Sequence, residues 1–210
     1  MRRLAFGFAL VCWAALGCSL KVPRVGEPAP TVADVAAERA YQTTLEHFTA
    51  NREVYVGFDT RFLAAATYQS PAFRVARVRR EAVFLQHPPE LVSKALADEE
   101  RDGAQFIDFV FGVHVNERRF EDFDKKDSVW RVVLVSEAGQ TTPLSIERLG
   151  RSHLHLRAYY PYLDDFWVAY RFRFPRVTAS GQPSVPAGAK TLTLRIASPL
   201  AAADFTVPAE

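Results

Sequence analysis

The chain has 210 residues, with 26 Lys+Arg against 24 Asp+Glu; without Arg2 and Arg3 at the extreme N-terminus the two signs balance at 24 each. A neutral body of this kind argues against nucleic acid as a partner, which demands a basic face. Its two cysteines, Cys12 and Cys18, both fall in the first eighteen residues, so the rest of the chain has no Cys-based zinc site, thiol nucleophile or disulfide.

In chain order, Arg2 and Arg3 precede an unbroken apolar run from Leu4 to Leu16. As a helix the run covers about 20 Å, short of a hydrocarbon core of about 30 Å. A positive flank, a short apolar core and small residues at a cut site are the marks of a secretory signal. Ala15 and Gly17 stand at the third and first positions before a cut ahead of Cys18. The stretch Ala15-Leu16-Gly17-Cys18 resembles the lipobox of bacterial lipoproteins, with Ala15 where that family favours Leu and Leu16 where it favours a small residue. The resemblance covers residues 1 to 18. It implies that residues 1–17 are removed, that the Cys18 thiol is acylated, and that the new amino terminus is acylated as well. Ser19, where an Asp commonly retains Gram-negative lipoproteins at the inner membrane, implies the outer membrane. Two or more acyl chains hold a protein stably where one does not. An ordinary signal cut before a cysteine and a short uncleaved membrane helix are the other two readings of the same residues.

Residues 18–32 contain three prolines and no apolar period, which predicts an extended tether. The rest, 33–210, has the length of a single domain. Ala33 to Ala40 can open a helix capped by Asp34. From Tyr41, alternating apolar residues suggest two strands joined near Gly57-Phe58-Asp59, so 33–50 is left open between helix and strand. Ser70-Pro71 is a helix start. One helix runs from there to Pro88-Pro89, with Val75, Val78, Ala82 and Leu85 on one side; a second runs from Glu90 until Gly103 ends it. The arginines at 74, 77, 79 and 80 read as a solvated helix face.

Beyond this helical pair (about 70–103) the period is two. Runs at 107–115, 130–134, 144–146, 154–158, 166–174, 192–196 and 205–207 alternate apolar with polar residues, separated by turn signals such as Ala138-Gly139 and Ser180-Gly181-Gln182-Pro183. Seven or so short strands with one apolar face each need two packed sheets. The expected fold is therefore mainly β, an antiparallel β-sandwich with the helical pair inserted.

His153 and His155, two apart on a strand, would share a face and offer two imidazoles to one metal ion. No third or fourth ligand is marked, so they read as polar residues on the solvent face, and no cofactor is expected. Asp122, Asp124 and Asp127 superficially resemble a calcium loop, but Asp127 occupies the required glycine position and Lys125 and Lys126 oppose a cation. In the aromatic stretch 159–167, Phe166 and Tyr160 are expected in the core. Tyr159, Tyr162, Asp164 and Trp167 are the candidates for ligand or partner contact. Arg171 and Arg173 are expected to pair with acids across strands. With no nucleophile, metal or phosphate-loop motif, the sequence points to a non-enzymatic outer-membrane lipoprotein. Its domain would face the periplasm and bind a protein partner in an envelope assembly. A binder of a small envelope lipid or glycan is the alternative, and a metal-dependent enzyme using His153 and His155 the third reading.

Overall fold

The computed structural model describes residues 34–151 and 154–210. The leader, Cys18, the tether and His153 lie outside the described residues. The first element is a helix, α1 (Val35–His47), whose start is fixed by Asp34: its carboxylate accepts hydrogen bonds from the Ala36 and Ala37 amides. The helix continues through Tyr41 and Leu45, which lie four apart and are both buried. Residues 35–47, within the stretch left open between helix and strand, are therefore helical. Strands β1 (Thr49–Val56) and β2 (Asp59–Tyr68) then form a hairpin closed by Gly57-Phe58, with Gly57 at φ +64°. A two-residue turn with glycine first matches the twist of the flanking strands.

Helix α2 (Pro71–Leu85) starts where Ser70 Oγ accepts the Phe73 amide and ends at Gln86 in a left-handed conformation. Helix α3 (Pro89–Gln105) does not stop at Gly103 as expected. It runs two residues further, because the glycine is used for packing: a Cβ there would meet the Arg74 side chain at 3.4 Å. Then follow β3 (Phe106–Val115), a short 3₁₀ turn (Arg118–Phe120), β4 (Arg131–Ser136), β5 (Gly139–Thr141) and β6 (Ser145–Arg151). Helix α4 (Leu154–Tyr159), β7 (Val168–Pro175), β8 (Thr191–Ala197) and β9 (Ala202–Pro208) complete the chain.

Among the described residues the strands form two antiparallel sheets, ordered β1-β2-β3-β7-β6 and β5-β4-β8-β9. This is the expected sandwich with its inserted helical pair. The inner layer is aromatic. Phe111 stacks on Phe172, diagonal to it on the adjacent strand, at 5.1 Å and meets Phe205 of the opposite sheet edge-on at 5.5 Å. Phe123, carried in by the 121–128 loop, lies parallel to Trp130 at 5.0 Å. This acidic loop thus plugs the sandwich with its one ring, while Lys125, Lys126 and Asp127 stay outside.

Strand β3 is buried along nearly its whole length, as a central strand covered on both faces must be. Its second cover is the segment 160–167, which crosses the outer face of the first sheet. Ala65, Gly112 and Ala169 lie side by side across β2, β3 and β7 and leave a shallow channel. Leu163, Tyr162 and Trp167 fill it so closely that a Cβ on Gly112 would stand 2.4 Å from Leu163. Residues 154–158, read as a strand from alternating Leu154, Leu156 and Ala158, are instead α4, closed by the Tyr160 amide donating to the Leu156 carbonyl. Six residues are too few for alternation to outweigh the helix preference of Leu, Arg and Ala. No helix among the described residues is long and apolar enough to cross a membrane.

Candidate functional site

The insertion of α2 and α3 between β2 and β3 places both helices at one end of the first sheet. Helix α2 lies between α1 and α3, so its arginines have protein on both sides. Arg74 is buried, not solvated: Nε donates to the Gln69 carbonyl, Nη1 to Glu99 and Asp102, and Nη2 to Asp108 at 2.7 Å. Arg173 reaches the same centre from β7, donating to Asp108 at 2.8 Å and to Asp102 at 2.6 Å. Arg77 binds the other oxygen of Glu99. Three guanidinium groups thus meet three carboxylates. Burial opposes ionisation of Asp108, but the hydrogen bonds from Arg173 and Arg74 outweigh it and hold its pKa below the ordinary carboxylate value. Glu99 is lowered in the same way: burial opposes, and Arg77 and Arg74 prevail. On the other flank, buried Arg80 pairs with Glu38 of α1 at 2.9 Å and lies over the Tyr41 ring. The solvated-face reading of 74, 77, 79 and 80 therefore holds for Arg79, which is exposed, and fails for Arg74 and Arg80. The acidic run at 98–102 on α3 was the available signal, since a basic run and an acidic run on adjacent helices can neutralise each other.

Above this charged floor lies a groove of about 690 Å³, lined by residues of both helices. Pro71, Val75, Leu96 and Ala104 form its apolar walls. Of the α3 residues, only Gly103 is buried; Leu91, Val92, Ala95 and Leu96, one apolar face, are left partly or wholly uncovered. Arg79 and Arg176 line the groove, and neither has a carboxylate partner among the described residues. Arg176 is held in place by donating to the Gly103 carbonyl. Glu100 beside them has no cationic partner among the described residues. The site therefore offers apolar walls and a modest positive excess at its rim.

The residues singled out from the sequence fall elsewhere. Tyr159, Tyr162 and Trp167, the candidates for ligand or partner contact, are at most 9% exposed and present little surface. Their rings fill the layer over the first sheet. The Tyr159 carbonyl accepts from the Tyr41 hydroxyl, and the Tyr162 hydroxyl is bonded to Thr67. Asp164 turns the chain, accepting the Phe166 and Trp167 amides. Tyr160 is buried as expected and bonds Gln69; Phe166, expected in the core, is 68% exposed. Burial pushes the Tyr160 phenol up to about 12 and that of Tyr162 well above its ordinary value, so both stay protonated near neutral pH. His155 lies in α4 and not on a strand, and its intended partner His153 lies outside the described residues. Among the described residues no group of three or more His, Cys, Asp or Glu side chains is arranged to hold a metal ion. Arg171 and Arg173 do pair across strands, with Glu147 and Asp108. No protein-family model, curated protein or solved structure matches the chain.

Proposed function

We propose that this protein is a non-enzymatic lipoprotein of the outer membrane, anchored by acyl chains at Cys18. Its β-rich domain faces the periplasm and binds a protein partner of an envelope assembly in the α2–α3 groove. The observation that carries the reading is the uncovered apolar face of α3. Two packed helices with an open apolar seam accept a third amphipathic helix, a common mode of protein recognition. Arg79 and Arg176 at the rim favour a partner helix with acidic residues beside its apolar face. The buried charge centre beneath ties α2 to α3 through Arg74 and Arg77 on Glu99 and Asp102.

A photo-reactive amino acid at Leu96 should yield a discrete protein adduct in native envelopes. The same group at exposed Lys94 should not, and Val75→Asp should abolish the adduct. Equal labelling at 96 and 94, or labelling indifferent to Val75→Asp, would refute the assignment. One further observation supports a second reading, a binder of a small envelope lipid or glycan: the groove volume falls within the roughly 300–1,000 Å³ usual for small-molecule sites. A bound molecule of constant small mass in native mass spectra, released by Leu96→Asp, would select that reading.

A further inference from the structure

We infer that the tip of the β1–β2 hairpin is a lipid-contacting element that enters the interfacial layer of a bilayer. Phe58 is fully exposed, and Tyr55 and Val56 beside it are more than half exposed. Phe58 is left uncovered by the fold, and Tyr55 is tied only through its hydroxyl, which donates to Glu53 at 2.8 Å and leaves the ring exposed. Phe58 occupies the second position of a two-residue turn, where Asn, Ser or Asp would serve the backbone equally well.

The tip also projects. Phe62 pairs with Val115, the last residue of β3, so the hairpin beyond Phe62 has no neighbouring strand on that side. Four residues at about 3.3 Å each carry Phe58 roughly 13 Å past the sheet. This convex apolar point is far from the groove, which lies at the other end of the strands, beside Tyr68 and Phe106.

Area and charge decide the occupant. Three such side chains expose on the order of 400 Å² together, well below the roughly 800 Å² per partner of a stable protein interface. A lipid interface has no such threshold, and Tyr and Phe are the side chains that settle there. The 3₁₀ turn after β3 sits beside the hairpin: Thr60 and Arg61 share a shallow depression with Asn116 and Glu117. It presents Arg118, exposed and without a carboxylate partner among the described residues. Arg61 is only loosely paired with Asp59, at 4.0 Å, which leaves its guanidinium, like that of Arg118, available to a phosphate headgroup. On the lipid-anchor reading, the 16 residue steps from Cys18 to Asp34 span at most about 55 Å, which lets this end of the domain face the membrane. The inference itself rests on the hairpin and not on that anchor.

The test uses the full-length chain reconstituted in vesicles of phosphatidylethanolamine and phosphatidylglycerol. A fluorescent aromatic amino acid replaces Phe58 in one preparation and Leu144, which is exposed at the opposite end and somewhat less open to solvent than Phe58, in another. At position 58 the expected result is blue-shifted emission, strong quenching by chain-labelled nitroxide lipids, and iodide quenching several-fold weaker than at 144. With the probe moved to Val56, Phe58→Ser should return iodide access to the level seen at 144; this exposed substitution leaves the core untouched, and the circular dichroism spectrum verifies folding. Position 58 remaining as open to iodide as 144, and indifferent to nitroxide lipid, overturns the inference. Protection that appears in native envelopes but not in lipid vesicles overturns it too, in favour of a protein contact.

Discussion

Asp108→Asn tests the buried charge centre on which the groove is built. The carboxylate accepts from Arg74 Nη2 at 2.7 Å and from Arg173 Nε and Nη2 at 2.8 and 2.9 Å, with only 3% of its side-chain surface exposed. Asparagine keeps the shape and removes the charge, so Arg74, itself 5% exposed, loses one of its counter-ions in a poorly solvated place. Breaking a buried ion pair by neutralising one partner costs about 3–5 kcal/mol. Glu99 and Asp102 still face Arg74, which sets the expectation at the lower end, about 3 kcal/mol. For a chain of this size that corresponds to a melting-temperature loss of about 6–12 °C. The penalty also depends on pH in a defined direction. The folded-state pKa of Asp108 lies below its unfolded value of about 3.9. Its contribution is therefore fully present above that value and is lost as pH falls through the folded pKa. Urea unfolding followed by tryptophan fluorescence should show the full gap between native and variant protein at pH 7 and a narrowing gap below about pH 4. A gap under about 1 kcal/mol at pH 7, the size of an exposed pair, would refute the reasoning, as would one that stays constant on acidification.

Three other outcomes follow from the packing. Gly112→Ala should cost about 1–3 kcal/mol by overpacking and should speed amide exchange in 160–167, because Leu163, Tyr162 and Trp167 have to withdraw from the new methyl. Phe123→Ala should cost about 3–5 kcal/mol and change Trp130 fluorescence, since the parallel ring contact is removed; an unchanged spectrum would mean that the loop does not seat this ring. Leu96→Asp, at a partly uncovered wall of the groove, should alter stability by no more than about 0.5 kcal/mol while abolishing partner capture. A large loss of stability would place Leu96 in the core and remove it from the binding surface.

The elements legible in the sequence were those with local causes. Gly57 marked the first hairpin, Ser70-Pro71 the start of α2, and the long alternations at 107–115 and 166–174 the two central strands. Arg171 and Arg173 were readable as cross-strand pairs because strand geometry alone puts them opposite acids. What stayed hidden depends on distant neighbours. Arg74 looks solvated until α1 and α3 cover α2, and Gly103 looks like a helix stop until Arg74 is laid across it. The tyrosines at 159 and 162 look like a binding patch until the small residues Ala65, Gly112 and Ala169 open a channel for that segment. The groove has no motif at all, because it is defined by apolar residues of α3 that lack cover, and lack of cover is a property of the assembled fold.

Hydrogen exchange along α3, compared between purified full-length protein and protein in its native envelope, tests the binding role of the groove most directly. The account predicts that amides near Leu96 and Ala104 exchange roughly tenfold or more slowly in the envelope, equivalent to about 1.4 kcal/mol, and that Val75→Asp erases the difference. Identical exchange in both settings, with Val75→Asp without effect, would contradict it.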